Sequence, residues 1–398
     1  MKRIFALLLC CVLALSCVAC GEGESGENAS VQGSESTEQT TSTDSATSET
    51  ETSTNTDTDT DTEKNTTSSV TETVTWDDYV FDTSIEHKFF ATDIRGHSLV
   101  VFDLNKTDGN LDLLTGRSCV VWAWSSDYDT KCTIKPSAGI DAAKYRYSPY
   151  YGKDVVIASS SNGWAGVIDY EAKSLIWEYK VGDGPHSIEM MPNGDVVVAC
   201  SGNGSTPGKL AYIPLSSGAK TPSCEVPSPS SHGVMWDPKN ECLWVMENAE
   251  IACFKVVGAG TREATLERIK ESCVSLAGKD SGGHVISPVL GQPGKYWIGA
   301  GGGLWQFDTE TRTVTKSYEN AAALSIRHLK GVASFADGTV IQTSAGLGGN
   351  TSYDWSSKAL RILLFKKNDD GTSRPIIKEV PFKTREFYKV FPFTKDYQ

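Results

Sequence analysis

Two interleaved sets of six short apolar runs, five strand-like segments ahead of them and an unpartnered strand at the C-terminus predict an all-β fold. The arrangement expected is a six-bladed β-propeller over residues 76–398. The first set reads Phe89-Phe90-Ala91-Thr92, Val155-Val156-Ile157-Ala158, Val196-Val197-Val198-Ala199, Leu243-Trp244-Val245-Met246, Trp297-Ile298-Gly299-Ala300 and Val340-Ile341-Gln342-Thr343. The second set follows after turns or loops, at residues 99–102, 166–168, 211–213, 251–254, 304–307 and 360–365. Both are rich in Val, Ile, Leu and aromatic residues and bounded by Gly, Asn and Asp, and no long stretch carries a helical period. Three of the second runs end in Asp103, Asp169 and Asp308, each opening a polar turn toward an outer strand such as 174–181 or 313–318. Inner strands are predicted at 144–150, 187–192, 233–238, 285–290 and 331–337. The first blade lacks one, because only residues 76–88 precede Phe89. The run Phe387-Tyr388-Lys389-Val390-Phe391-Pro392-Phe393 supplies it from the C-terminus and closes the ring, which removes exposed sheet edges.

Ahead of this lie two segments of other character. Lys2-Arg3 followed by the apolar run 4–15 reads as a secretory signal, too short to span a bilayer. It ends Leu15-Ser16-Cys17-Val18-Ala19-Cys20-Gly21, which resembles the lipobox of bacterial lipoproteins. The resemblance implies a lipoprotein signal over residues 1–20 that is cut ahead of Cys20, acylation of Cys20 as the mature N-terminus (with Cys17 the lesser candidate) and a lipid-anchored protein on the extracellular face of the cell membrane. Residues 21–75 are Ser, Thr, Glu and Asp with almost nothing apolar, so they cannot offset their conformational entropy and are expected to be a disordered tether. The tether holds thirteen acids against Lys64, and the signal two bases, leaving the folded part only three of the chain's thirteen net negative charges. The acidity therefore describes the tether, and no basic nucleic-acid footprint stands out elsewhere.

Seven cysteines follow the signal: Cys119, Cys132, Cys200, Cys224, Cys242, Cys253 and Cys273. No CxxC or metal-ligand spacing links them, and they read as small buried apolar residues. Cys242 and Cys253 flank a turn at 247–250 symmetrically and should face each other across a hairpin. No phosphate loop, nucleotide-binding glycine pattern or GxSxG elbow is present; Gly299, Gly301, Gly302 and Gly303 join two strands, with no helix after them.

The phrases Pro185-His186-Ser187-Ile188-Glu189, His232-Gly233-Val234-Met235-Trp236-Asp237-Pro238 and Gly282-Gly283-His284-Val285-Ile286-Ser287-Pro288 resemble those of a family of secreted bacterial six-bladed propellers of unassigned function. The resemblance covers residues 85–393 and implies the fold without a reaction.

Registering the inner strands on the turn that follows each one brings Lys389, Lys144, His186, His232, His284 and Lys330 to one mouth of the central channel. Three imidazoles on adjacent blades suggest a site for a divalent ion (zinc, manganese or calcium), or else rings that bond only to nearby backbone. Three ammonium groups in a funnel would concentrate an anion, or be neutralised by acids such as Asp183 or Asp280. Arg95, His97, Trp164, Arg327 and His328 are expected around the same rim, with two Gly-rich insertions at 202–208 and 346–358, the second carrying Tyr353 and Trp355. The leading expectation is a membrane-tethered monomer binding an anionic small molecule or a glycan at this mouth. The alternatives are a metal-dependent lyase or hydrolase acting on an acidic glycan, with one of the lysines as base, and a protein-interaction scaffold.

Overall fold

A computed structural model of the chain describes residues 82–276, 282–367 and 373–397. The signal, Cys20 and the tether lie outside the described residues. Among the described residues no helix is long and apolar enough to cross a membrane.

The protein is all-β, built of six antiparallel sheets with a path of four strands each. The first holds β1 (Lys88–Asp93), β2 (Ser98–Asp103) and β3 (Val120–Ser125). The second holds β4 (Ala142–Ser148), β5 (Lys153–Ser160), β6 (Trp164–Asp169) and β7 (Ser174–Lys180). The third holds β8 (Pro185–Met190), β9 (Val196–Asn203), β10 (Thr206–Ile213) and β11 (Cys224–Pro227). The fourth has β12 (Gly233–Asp237), β13 (Cys242–Met246), β14 (Glu250–Val257) and β15 (Thr265–Arg268), with a two-residue β16 (Val274–Ser275) also paired to β14. The fifth has β17 (Val285–Pro288), β18 (Lys295–Ala300), β19 (Gly303–Asp308) and β20 (Thr313–Thr315). The sixth has β21 (Leu329–Ser334), β22 (Val340–Ser344), β23 (Ala359–Lys367) and β24 (Ser373–Pro381). The last strand, β25 (Phe387–Pro392), returns to pair with β1, as the unpartnered C-terminal run predicts.

Apart from β25 and β16, the strands of each sheet lie side by side in chain order. The middle strands are covered on both faces: Val196–Ala199 of β9 and Leu243–Met246 of β13 are fully buried side chain after side chain. That is why these runs read as continuous apolar stretches and not as alternating ones. The inner strands β25, β4, β8, β12, β17 and β21 each touch the next, and β21 touches β25 again. The last of these contacts is the tightest. A Cβ on Gly331 of β21 would run into the backbone N of Val390 and sit 2.9 Å from Lys389 Cα, so only glycine allows these strands to approach.

Candidate functional site

The upper ends of the inner strands, where each begins, share one device. In β8 Pro185 pairs with Cys200 and Ser187 with Ala199, leaving His186 as an extra residue. Lys330 is likewise extra between Leu329 and Gly331 of β21. Tyr388 and Lys389 together oppose Thr92 in β25. In β12 and β17, His232 N bonds Met246 O and His284 N bonds Gly299 O, although the residues paired with Met246 and Gly299 are Gly233 and Val285. A bulge re-aims a side chain that a regular ladder would send into the sheet. Five of the six expected residues are thereby brought together. The imidazoles of His186 and His232 stack at 4.6 Å with 14° between planes, and His284 follows at 4.7 Å and 46°. Lys330 Nζ lies 2.8 Å from His284 Nε2, and Lys389 Nζ donates to His186 O (2.8 Å) and His232 O (2.6 Å).

Lys144 departs from this layer. The β4–β5 ladder is regular, with Ala142 opposite Ser159 and Lys144 opposite Ile157. The residues at the equivalent depth in the third and fourth sheets are Ile188 and Val234. Lys144 Nζ accordingly donates to the Ile188 carbonyl at 2.8 Å and to the Val234 carbonyl, and it pairs with Glu189 at 3.1 Å. Hairpin lengths differ among the sheets, so counting from the following turn puts Lys144 one step too high. It is a buried structural cation, not a ligand contact at the mouth. Arg146 shares Glu189 through Nε (2.8 Å) and Nη2 (3.1 Å), all three groups being fully buried. Below them the C-terminal tail crosses: Arg146 Nη1 donates to Thr394 O at 3.0 Å, and Tyr397 OH to Met190 O at 2.6 Å. The axis between mouth and tail keeps a cavity of only about 10 Å³, lined by Phe90, Lys144, His232, Val285, Lys389 and Phe391 among others, roughly the room one water needs.

Burial sets the charge states. His232 and His284 give their Nδ1 hydrogens to Ser230 O (2.8 Å) and Gly282 O (2.6 Å), which fixes the tautomer and leaves Nε2 as a bare lone pair. Burial, then the neighbouring imidazoles and Lys389, hold His232 well below the usual histidine range. Burial and then Lys330 push His284 down to about 3, so both rings are neutral and the Lys330 ammonium donates to His284. Burial lowers Lys330 to about 8 against the pull of Asp354. It lowers Lys389 to about 7, with Asp141 opposing and Lys144 and Lys330 assisting. His186 Nδ1 faces Asp141 Oδ1 at 3.3 Å without hydrogen-bond alignment.

These donors do not fit the expected divalent ion. A metal needs lone pairs aimed at one point, whereas His186 and His232 lie face to face with their ring planes side by side. The His284 lone pair is occupied by Lys330. Among the described residues no group of three or more His, Cys, Asp or Glu is placed to hold a metal.

Around the rim the expectations divide. Arg95, Arg327 and His328 are exposed in turns at this end, and His97 sits 3.2 Å from Asp127. Trp164 is not at the rim; it is fully buried, donates to Glu178 Oε2 at 2.9 Å and stacks on Trp124. Residues 202–208 are not a loop insertion but the extended tip of the β9–β10 hairpin, with Thr206 opposite Asn203. The 346–358 insertion is a loop, held by the buried Glu386 carboxylate, which accepts from Ser352 N (2.6 Å), Tyr353 N (3.3 Å) and Ser356 Oγ. Tyr388, Asp141 and Glu386 escaped the sequence reading; only the doubling of residues opposite Thr92 marks Tyr388, and that needs the paired strand to be seen. The seven cysteines are free, and Cys253 stands opposite Trp244 rather than Cys242, to which it is a diagonal neighbour.

The family described as "Family of unknown function (DUF6528)" matches residues 115–345, more than half of the chain. That stretch includes His186, His232, His284 and Lys330. No curated protein matches the chain. Similar solved structures include a functionally unknown protein from Desulfotomaculum acetoxidans, 10% identical over 73% of this chain and 79% of its own, with a TM-score of 0.41. The hydrazine synthase of Kuenenia stuttgartiensis is 14% identical over 74% and 83%, at 0.42. The dihydro-heme d1 dehydrogenase NirN is 13% identical over 76% of this chain and 55% of its own, at 0.40.

Proposed function

The chain belongs to the DUF6528 family, whose description assigns no reaction, and from that premise we propose that it is a six-bladed β-propeller that captures an anionic ligand at its upper mouth. The cyclic contacts of the six inner strands and the pairing of β25 with β1 support the propeller reading. The lipobox at Cys20 and the tether at 21–75 support its display on the outer face of the cell membrane.

One observation carries the ligand class. Lys330 and Lys389 meet at the mouth with no carboxylate within ion-pair distance among the described residues, and Lys144 and Arg146 below share the single carboxylate of Glu189. Asp354 and Asp141 act on these two lysines only from beyond ion-pair distance, so the buried positive charge is incompletely matched, and an arriving anion would relieve that cost. The neutral imidazoles supply polar contact without adding charge.

Sulfate is a suitable probe, because it carries charge and no other recognition element. Calorimetric titration at low ionic strength is expected to show sulfate binding that Lys330→Ala weakens at least tenfold, while Arg327→Ala at the exposed rim weakens it by about twofold. Equal affinities for the wild type and Lys330→Ala would remove the basis of this reading.

A further inference from the structure

We propose that the 346–358 loop is a sugar-binding shelf on which one residue of an oligouronate stacks against Tyr353 while a carboxylate of the same chain reaches Lys330. This rests on the reading of the mouth as an anion site and names the ligand that site receives.

Tyr353 is 45% exposed, yet it is not loose. Its ring lies on Trp355 at 4.8 Å and 20°, and Trp355 meets Tyr388 edge-on at 5.1 Å and 84°. The backbone beneath is tied down by Glu386 and by Gly346 N to Ser356 O and Lys358 N to Leu347 O, both 2.8 Å. The outcome is a rigid ring with a free face, which costs little entropy to use in binding. A pyranose presents C–H groups on one face and suits such a ring. Asp354, exposed beside it, offers acceptors for the hydroxyls along the sugar edge.

The shelf is continuous with the mouth. Tyr388, which carries Trp355, also stands 6.0 Å from the His186 ring, so the rings of Tyr353, Trp355, Tyr388, His186, His232 and His284 form one file ending at Lys330. Asp354 is close enough to act on Lys330 electrostatically. A ligand with a ring for the shelf and a negative charge for the lysines uses both ends of the file.

The experiment compares trigalacturonate, its carboxyl-reduced neutral counterpart and sulfate on the purified protein by calorimetry, with Tyr353→Ala and Tyr353→Phe. Trigalacturonate is expected to bind the wild type at least tenfold more tightly than either control. Tyr353→Ala should lose about tenfold for trigalacturonate and nothing for sulfate, and Tyr353→Phe should retain affinity; unchanged thermal melting of both variants excludes a folding defect. If sulfate binds and Tyr353→Ala leaves trigalacturonate unaffected, the shelf is wrong and the mouth stands. If trigalacturonate binding depends on Tyr353 but sulfate does not bind, the shelf stands and the anion site fails. Binding of neither ligand overturns both.

Discussion

The mouth's chemistry turns on two lysines held in the neutral-pH range. Lys389, at about 7, and Lys330, at about 8, lose protons over the interval in which an unburied lysine keeps them. Both sit below their unfolded value, so folding is penalised where they must be charged. The penalty is complete below about pH 7 and vanishes toward pH 10.5, where the unfolded lysine is also neutral. An anion reverses the preference by favouring the ammonium form. Sulfate affinity is therefore expected to fall roughly tenfold per pH unit above pH 8, with proton uptake on binding visible as a buffer-dependent calorimetric enthalpy. A flat affinity from pH 6 to 9 would show that these amines do not meet the ligand. At this scale the sequence is informative about type and weak about depth. The histidines stand at the starts of inner strands and can be found by their spacing, but Lys144 looks like their equal until strand pairing shows it opposite Ile157. Trp164 resembles a rim aromatic for a similar reason, since its position after a turn does not reveal which neighbour covers it.

Elements were easier to read than residues, because a strand buried on both faces leaves a contiguous apolar signature and its turns leave Gly, Asn and Asp. What stayed hidden was the bulge, a one-residue surplus that exists only relative to a partner strand. Contacts between elements show the same dependence. His87, ahead of β1, is fully buried and holds Asp337, in the turn between β21 and β22, through Nε2 at 2.8 Å, while Nδ1 meets Asn105 Oδ1 at 2.6 Å. This latch joins the first sheet to the sixth. Burial pulls His87 down but Asp337 outweighs it, so its pKa is raised; Asp337 is lowered, hydrogen bonds and the His87 charge prevailing over burial. A raised histidine stabilises fully below pH 6.5 and ceases to do so as pH climbs through its folded value, whereas the lowered aspartate needs pH above about 4. The latch is strongest in between. Replacing His87 by Gln should cost about 3 kcal/mol near pH 5.5, measured by denaturant unfolding, and less at pH 8. A loss that is the same at both pH values would mean the ring serves only to fill space.

For the whole molecule, the six sheets and the return of the C-terminal strand were legible because the count of inner strands fell one short and one strand was left over. The N-terminal segment lies outside the described residues, and its reading as a signal and tether rests on composition alone. If Cys20 carries the lipid, Cys20→Ala should move the protein from the membrane fraction to the soluble exported fraction without altering its melting temperature. Retention in the membrane fraction would point to Cys17 or to another mode of attachment. The tail beneath Arg146 and the filled axis have a last effect on traffic. A ring of six sheets closed below in this way would be a cul-de-sac, not a conduit, and whatever reached the file of rings would enter and depart through one doorway. Under the proposed function two ligands could then only compete there, never pass, and a long glycan lodged on the shelf would shut out smaller anions while it stayed.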